Sequence, residues 1–145
     1  MESEKQLAEI QNVVDDALRL ALKKGATAAE ASMSKVQGIA VSSRMKEVET
    51  VEFTNDGGLG IAVFVGQKKG SASTADLSPE ALKLTVEKAV EIAKYTNEDE
   101  CAGIADKEFI ATEIPELDLY HPIELDTQAG IKLAIESETA GLDYD

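Results

Sequence analysis

The spacing of apolar residues changes period twice along this chain, and that change limits the fold more than any other feature. Leu7, Ile10, Val14, Ala17, Leu18 and Ala21 recur at intervals of three and four, one face of an amphipathic helix. Lys23-Lys24-Gly25 suits its end: two cations meet the negative end of the helix dipole, and glycine accepts the left-handed position that closes a helix. A helix is predicted over about residues 3–24.

The period then drops to two. Ala31, Met33 and Lys35 alternate with Glu30, Ser32 and Ser34. The same alternation marks Ile39–Arg44, Val51–Phe53 and Ile61–Val65. Gln37-Gly38, Met45-Lys46, Asn55-Asp56-Gly57-Gly58 and Gly66–Gly70 read as turns between them. Connections this short cannot make parallel crossovers, so the strands form an antiparallel meander. Ser71-Ala72-Ser73-Thr74 reads as the last strand, small and polar as an edge or a lightly covered strand would be.

The helical period returns after Leu77. Ser78 is an N-cap, Pro79 fits the first helical position and Glu80 complements the dipole. Leu77 can staple onto Leu82, and Leu82, Val86, Ala89, Val90 and Ala93 continue one stripe to about Tyr95. The fold class is therefore α+β: an antiparallel sheet of about five strands with two amphipathic helices on it, in two layers.

Charge divides the chain. Residues 1–95 carry 14 acids and 12 bases, whereas residues 96–145 carry 14 acids and only Lys107 and Lys132. Residues 96–122 read as an acidic connector, with Phe109, Ile110, Leu117, Leu119 and Tyr120 expected to pin it to a surface. A last amphipathic helix begins at Ile123 and includes Leu125, Ile131 and Ile135. It needs something to bury its face against, either the first domain or a second unit that it begins. The expected organisation is an N-terminal α+β domain over 1–114, then a connector and the first helix of an incomplete middle domain over 115–145.

Composition excludes several functions. A net charge of −14 opposes a phosphate backbone, so nucleic acid is not an expected ligand. No apolar run approaches the ~18 residues a membrane helix needs, and the acidic N-terminus lacks the features of a signal peptide. A soluble protein of a reducing cytoplasm is expected. One Cys and one His cannot supply a disulfide framework or a multi-Cys zinc site.

Individual candidates mostly have plain structural readings. Gly57-Gly58-Leu59-Gly60 precedes a strand, where a phosphate loop would feed a helix, and reads as a hairpin turn. His121 lies in the connector with no second His to make a metalloprotease helix. Cys101 follows Glu98-Asp99-Glu100, and carboxylates make a thiol a poor nucleophile. The acids of residues 96–126 lack the spacing of a calcium loop. Arg44, Lys46, Glu47, Glu49 and Glu52 surround one hairpin, either as a recognition surface or as an ordinary solvent-facing strand pair. Ser71, Ser73 and Thr74 are the candidate site, because an edge strand can add a peptide as one more strand. No catalytic, cofactor-binding or metal-binding residue is assigned.

Several stretches together resemble the N-terminal part of the PmbA, or TldE, branch of the TldD/PmbA family. They include Gly25–Glu30, Val48–Phe53, Gly58–Gly66, Lys69–Ser78, Ala93–Thr96, Cys101-Ala102-Gly103 and Leu117–Pro122, in order over nearly the whole chain. The resemblance implies a cytoplasmic bacterial protein that pairs with a TldD-like subunit in a metal-dependent protease, linked to microcin maturation and turnover of small proteins. It implies peptide or unfolded protein as substrate, and leaves open self-association when the chain is alone. The family's His-Glu-x-x-x-His metal helix belongs to the TldD branch, so no cofactor is expected in this chain and zinc only in the partner. Family chains are about three times this length. This chain then reads as a non-catalytic scaffold domain. The alternative is a stand-alone protein-binding module that uses its sheet edge or its acidic tail.

Overall fold

The computed structural model describes residues 2–119, 121, 123 and 125–144. Its elements are helix α1 (Glu2–Lys23), strands β1 (Ala28–Arg44), β2 (Glu47–Val65) and β3 (Lys68–Thr74), helix α2 (Pro79–Tyr95), a short 3-10 turn (Lys107–Phe109) and helix α3 (Thr127–Leu142). The strands form one sheet in the order β1-β2-β3. β2 and β3 are antiparallel, with Val63 opposite Gly70 and Ile61 opposite Ala72. The α+β class and the antiparallel sheet stand, but the about five expected strands are three long ones.

That difference has a physical cause at the glycines. Gly57 and Gly58 are not a turn; they lie inside β2. A Cβ on Gly57 would come 3.3 Å from the Ser34 carbonyl oxygen, and one on Gly58 would come 3.2 Å from that of Thr74. Glycine here permits close approach of neighbouring strands. Gln37-Gly38 likewise lies inside β1, where the Gln37 amide donates to Asn55 Oδ1 at 3.1 Å. Lys68, Lys69 and Gly70, expected in a turn, belong to β3.

The contacts divide the residues into two compact units. Unit 1 comprises the residues up to Lys35 together with Gly57–Thr112; unit 2 comprises Val36–Asp56 together with the residues from Glu113 on.

Unit 1 holds the apolar core. Ala17 and Ala21 of α1, Leu59, Ile61 and Val63 of β2, and Val86, Ala89, Val90 and Ala93 of α2 are buried in one cluster. Alanines on α2 let its backbone come close to β3 at Gly70. α1 ends as the sequence predicts: Gly25 has φ 103°, its N–H reaches the Leu22 carbonyl and that of Ala26 reaches Ala21, a glycine-closed helix end. Leu7 is 65% exposed, so it adds nothing to the core despite its place in the apolar period. α2 starts at Ser78, whose Oγ accepts from Ala81 N–H at 3.4 Å, and Leu77 and Leu82 both pack on the core. Lys24 Nζ reaches Glu87 Oε1 at 2.7 Å and holds the Glu87 carboxyl below its usual range.

Unit 2 contains the far half of the β1–β2 hairpin and α3. α3 starts at Asp126, whose Oδ1 accepts from Ala129 N–H at 2.7 Å. Ile123 and Leu125 therefore precede the helix that they were expected to begin. Gly130 meets Val41, where a Cβ would lie 3.2 Å from Val41 Cγ2, and Ser43 Oγ donates to the Ala134 carbonyl. The hairpin turns at Met45-Lys46, with φ 55° and 64°. Two left-handed residues make the turn that suits the strand twist, yet Asn-Gly is the sequence that adopts it without strain. Met45→Asn with Lys46→Gly should stabilise the tip by about 1 kcal/mol, since a left-handed non-glycine residue costs roughly 1–2 kcal/mol. Slower amide exchange at Thr50 and Val51 would show it; unchanged or faster exchange would refute it.

The connector is not pinned as expected. Phe109, Ile110, Leu117 and Leu119 are all exposed, because no element among the described residues covers them. Tyr120 lies outside the described residues.

Candidate functional site

The open face of the sheet in unit 1 is built from unusually short side chains. Alternation sends Ile61 and Val63 of β2 into the helix layer, leaving Gly60 and Ala62 on the other face. On β3, Ser73 stands opposite Gly60 and Ser71 opposite Ala62. β1 adds Ser32. With nothing longer than serine along the middle, the face is an open trough of about 550 Å³ with Glu30 at its rim. A neighbouring hollow continues it past Ser34, Gly58 and Thr74.

Phe64 is the next residue of β2 after Gly60 and Ala62 in the same alternation. Its ring is 2% exposed, and Lys69 Nζ stands 5.5 Å from its centroid. A cation over an aromatic face is attracted by the ring quadrupole. Lys69 Nζ also lies 3.9 Å from the Glu30 carboxylate.

β3 is an edge strand of this sheet, one of the two readings that its small, polar sequence allows. Ser71 and Ser73 are exposed on it. Thr74 instead ends the strand, because its Oγ1 accepts from Asp76 N–H at 3.0 Å and donates to the Asp76 carbonyl. Asp76 in turn accepts from the Ser78 N–H at 2.9 Å, and that bond holds its carboxyl below the usual range. Hydroxyls, a free strand edge and one rim carboxylate make a surface that can hydrogen-bond an extended chain. Ser32, Gly60 and Ala62 escape sequence reasoning because only the strand register brings them beside Ser71 and Ser73.

The other candidates are dispersed. His121 is exposed, with Nε2 3.8 Å from Asp118 Oδ2. Cys101 is exposed, and its backbone N–H bonds Asp99 Oδ1. Arg44 pairs with Glu49 and Lys46 with Asp143, each at 3.4 Å. Among the described residues no three His, Cys, Asp or Glu side chains gather closely enough to hold a metal ion. No helix among them is long and apolar enough to cross a membrane.

Comparison with known proteins adds a sequence relationship to this geometry. Residues 29–93 match the family described as PmbA/TldA metallopeptidase domain 1. The chain is 50% identical over 137 residues to a metalloprotease PmbA homolog of Haemophilus influenzae, covering 94% of this chain and 30% of that protein. It is 49% identical over 136 residues to the metalloprotease PmbA of Escherichia coli, with the same coverage. The chain thus spans about 30% of the length of these curated relatives. The crystal structure of TldE from Thermococcus kodakarensis superposes with a TM-score of 0.67 at 16% identity, over 92% of this chain and 30% of that one, a likeness of fold.

Proposed function

We propose, because the chain belongs to the PmbA/TldD family and corresponds to its N-terminal portion, that it is the scaffold domain of a non-catalytic PmbA/TldE-type subunit. In this reading it pairs with a TldD-like subunit in the bacterial cytoplasm. The complex is a metal-dependent protease that trims peptides such as microcin precursors and degrades small unfolded proteins. The 50% identity to a metalloprotease PmbA homolog over 94% of the chain is the observation that carries the reading.

The division of labour follows the family resemblance, in which the metal-binding helix belongs to the TldD branch. In this reading zinc sits in the TldD-like partner, and the role of this chain is geometric. A wall of sheet can hold an extended peptide through backbone hydrogen bonds and exclude folded proteins. Co-purification of the full-length protein with its TldD-like partner, followed by metal analysis of each chain, tests this. Stoichiometric zinc on the full-length protein alone, or chelator-sensitive proteolysis by it without the partner, would overturn it.

The exposed edge at Ser71 and Ser73 favours a second reading, a stand-alone module that captures a peptide by strand addition. The same edge is where a scaffold would grip substrate, so one variant addresses it. Ser73→Pro removes a backbone donor and blocks strand addition. In full-length protein that melts like wild type, proteolysis by the reconstituted complex should fall about tenfold, the equivalent of one or two backbone hydrogen bonds at about 1 kcal/mol each. Unchanged proteolysis would remove the edge from both readings and leave the scaffold role standing.

A further inference from the structure

Unit 2 is held together differently from unit 1. All the buried apolar residues among the described ones belong to unit 1. In unit 2 the one buried residue described is Gly130, and Leu133 and Leu142 of α3 are about half exposed. A two-stranded ribbon is marginal in water unless something packs on it. α3 does so with half-buried side chains and a set of polar bonds gathered at the hairpin tip.

The central bond of that set is a carboxylate clip. Glu138 Oε1 accepts from the Met45 N–H at 2.7 Å, and Oε2 accepts from the Lys46 N–H at 3.0 Å. Successive N–H groups aimed at one anion form a small anion-binding concavity. Here the left-handed turn creates it, and a side chain from 92 or 93 positions along the chain fills it. The charged groups around the clip are Lys46 from the turn and Asp143 just past the end of α3, which lie 3.4 Å apart. Arg44 is engaged with Glu49, and Ser43 of β1 bonds the α3 backbone at Ala134.

We propose that the Glu138 clip is a releasable fastening: α3 is held on the β1–β2 hairpin by this carboxylate and detaches from it as a unit, before the core of unit 1 opens. Regions with little buried apolar area and exposed hydrogen bonds open first. The carboxylate form is the one that fastens, because a charged acceptor bonds two N–H groups more strongly than a neutral acid does. The N–H groups of Lys46 and Met45 hold the Glu138 carboxyl below its usual range. A carboxyl depressed in the folded state stabilises above the ordinary glutamate pKa of about 4.3 and loses that stabilisation as pH falls through the depressed value. The fastening is therefore closed at neutral pH and opens in acid.

Amide exchange of the whole 145-residue chain tests this residue by residue. With Glu138→Ala, amides of α3 from Ile131 to Ser137 should exchange roughly tenfold faster or more, as two charge-assisted hydrogen bonds are lost. Amides of Val63, Val86 and Val90 should keep their wild-type rates. Glu136→Ala removes an exposed acid of the same helix that faces Lys132, and should leave α3 unchanged. In wild type, protection of α3 relative to unit 1 should fall in acid, and Glu138→Gln should abolish that fall. Equal α3 protection in wild type and Glu138→Ala would overturn the proposal. So would loss of α3 and unit 1 protection together, or an effect of Glu136→Ala as large as that of Glu138→Ala.

Discussion

Gly70→Ala should lower stability by about 3 kcal/mol, the upper end of what overpacking a core costs. A Cβ at this position would lie 2.2 Å from the Ala89 carbonyl oxygen and 2.4 Å from the Ala93 nitrogen. Both are backbone atoms of α2, so no side chain can rotate away. The helix must move off β3 and loosen Val86 and Val90 from the sheet. At this chain length each kcal/mol is worth roughly 2–4 °C, so melting should fall by about 10 °C. Gly38→Ala is the matched control, since nothing lies within 4 Å of its would-be Cβ. That variant should stay within about 0.5 kcal/mol of wild type. If the two variants melt together, α2 does not pack on β3 as described.

Val63→Asp should cost more, about 4 kcal/mol or above, and leave much of the chain unfolded. Val63 has no exposed surface and stands among alanines and valines from both helices. Replacing it forfeits roughly 1.5–3 kcal/mol of apolar burial. It also brings in a carboxylate with no cation in the cluster. Burial favours the neutral acid, so the carboxyl of the new side chain would titrate above its unfolded value. By linkage the penalty is largest at neutral pH and shrinks as pH falls, a trend visible in denaturant midpoints across pH. A variant that melts within a degree or two of wild type would show that β2 faces the other way.

The local signals proved legible where a residue acts on its own neighbours. Gly25 closing α1 and Ser78 opening α2 are contacts within a few positions, and the pattern of residues carries them. Gly38, Gly57 and Gly58 misled for the opposite reason: all three lie inside strands that exist only once the chain pairs. At Gly57 and Gly58 it is the approach of another strand that makes glycine suitable. The candidate edge followed the same division. Ser71 and Ser73 on a small, polar last strand were legible, while their neighbours Ser32 and Gly60 depend on register. Glu138 was beyond reach, because nothing in its surroundings on α3 announces a bond to a turn more than 90 residues away. Phe109, Leu117 and Leu119 show that apolar character alone does not say where a connector will be buried.

The way β1 and β2 run through both units has a kinetic consequence. Unit 1 is interrupted only by residues 36–56, a hairpin that closes locally and brings Lys35 beside Gly57. Unit 2 has to join that hairpin to a helix across the whole of residues 57–112. Closing so long a loop in an unfolded chain costs entropy before any contact repays it. The expected consequence is kinetic: the hairpin of residues 36–56 closes locally, whereas capture of α3 by it waits on closure of the long loop and should be the later step.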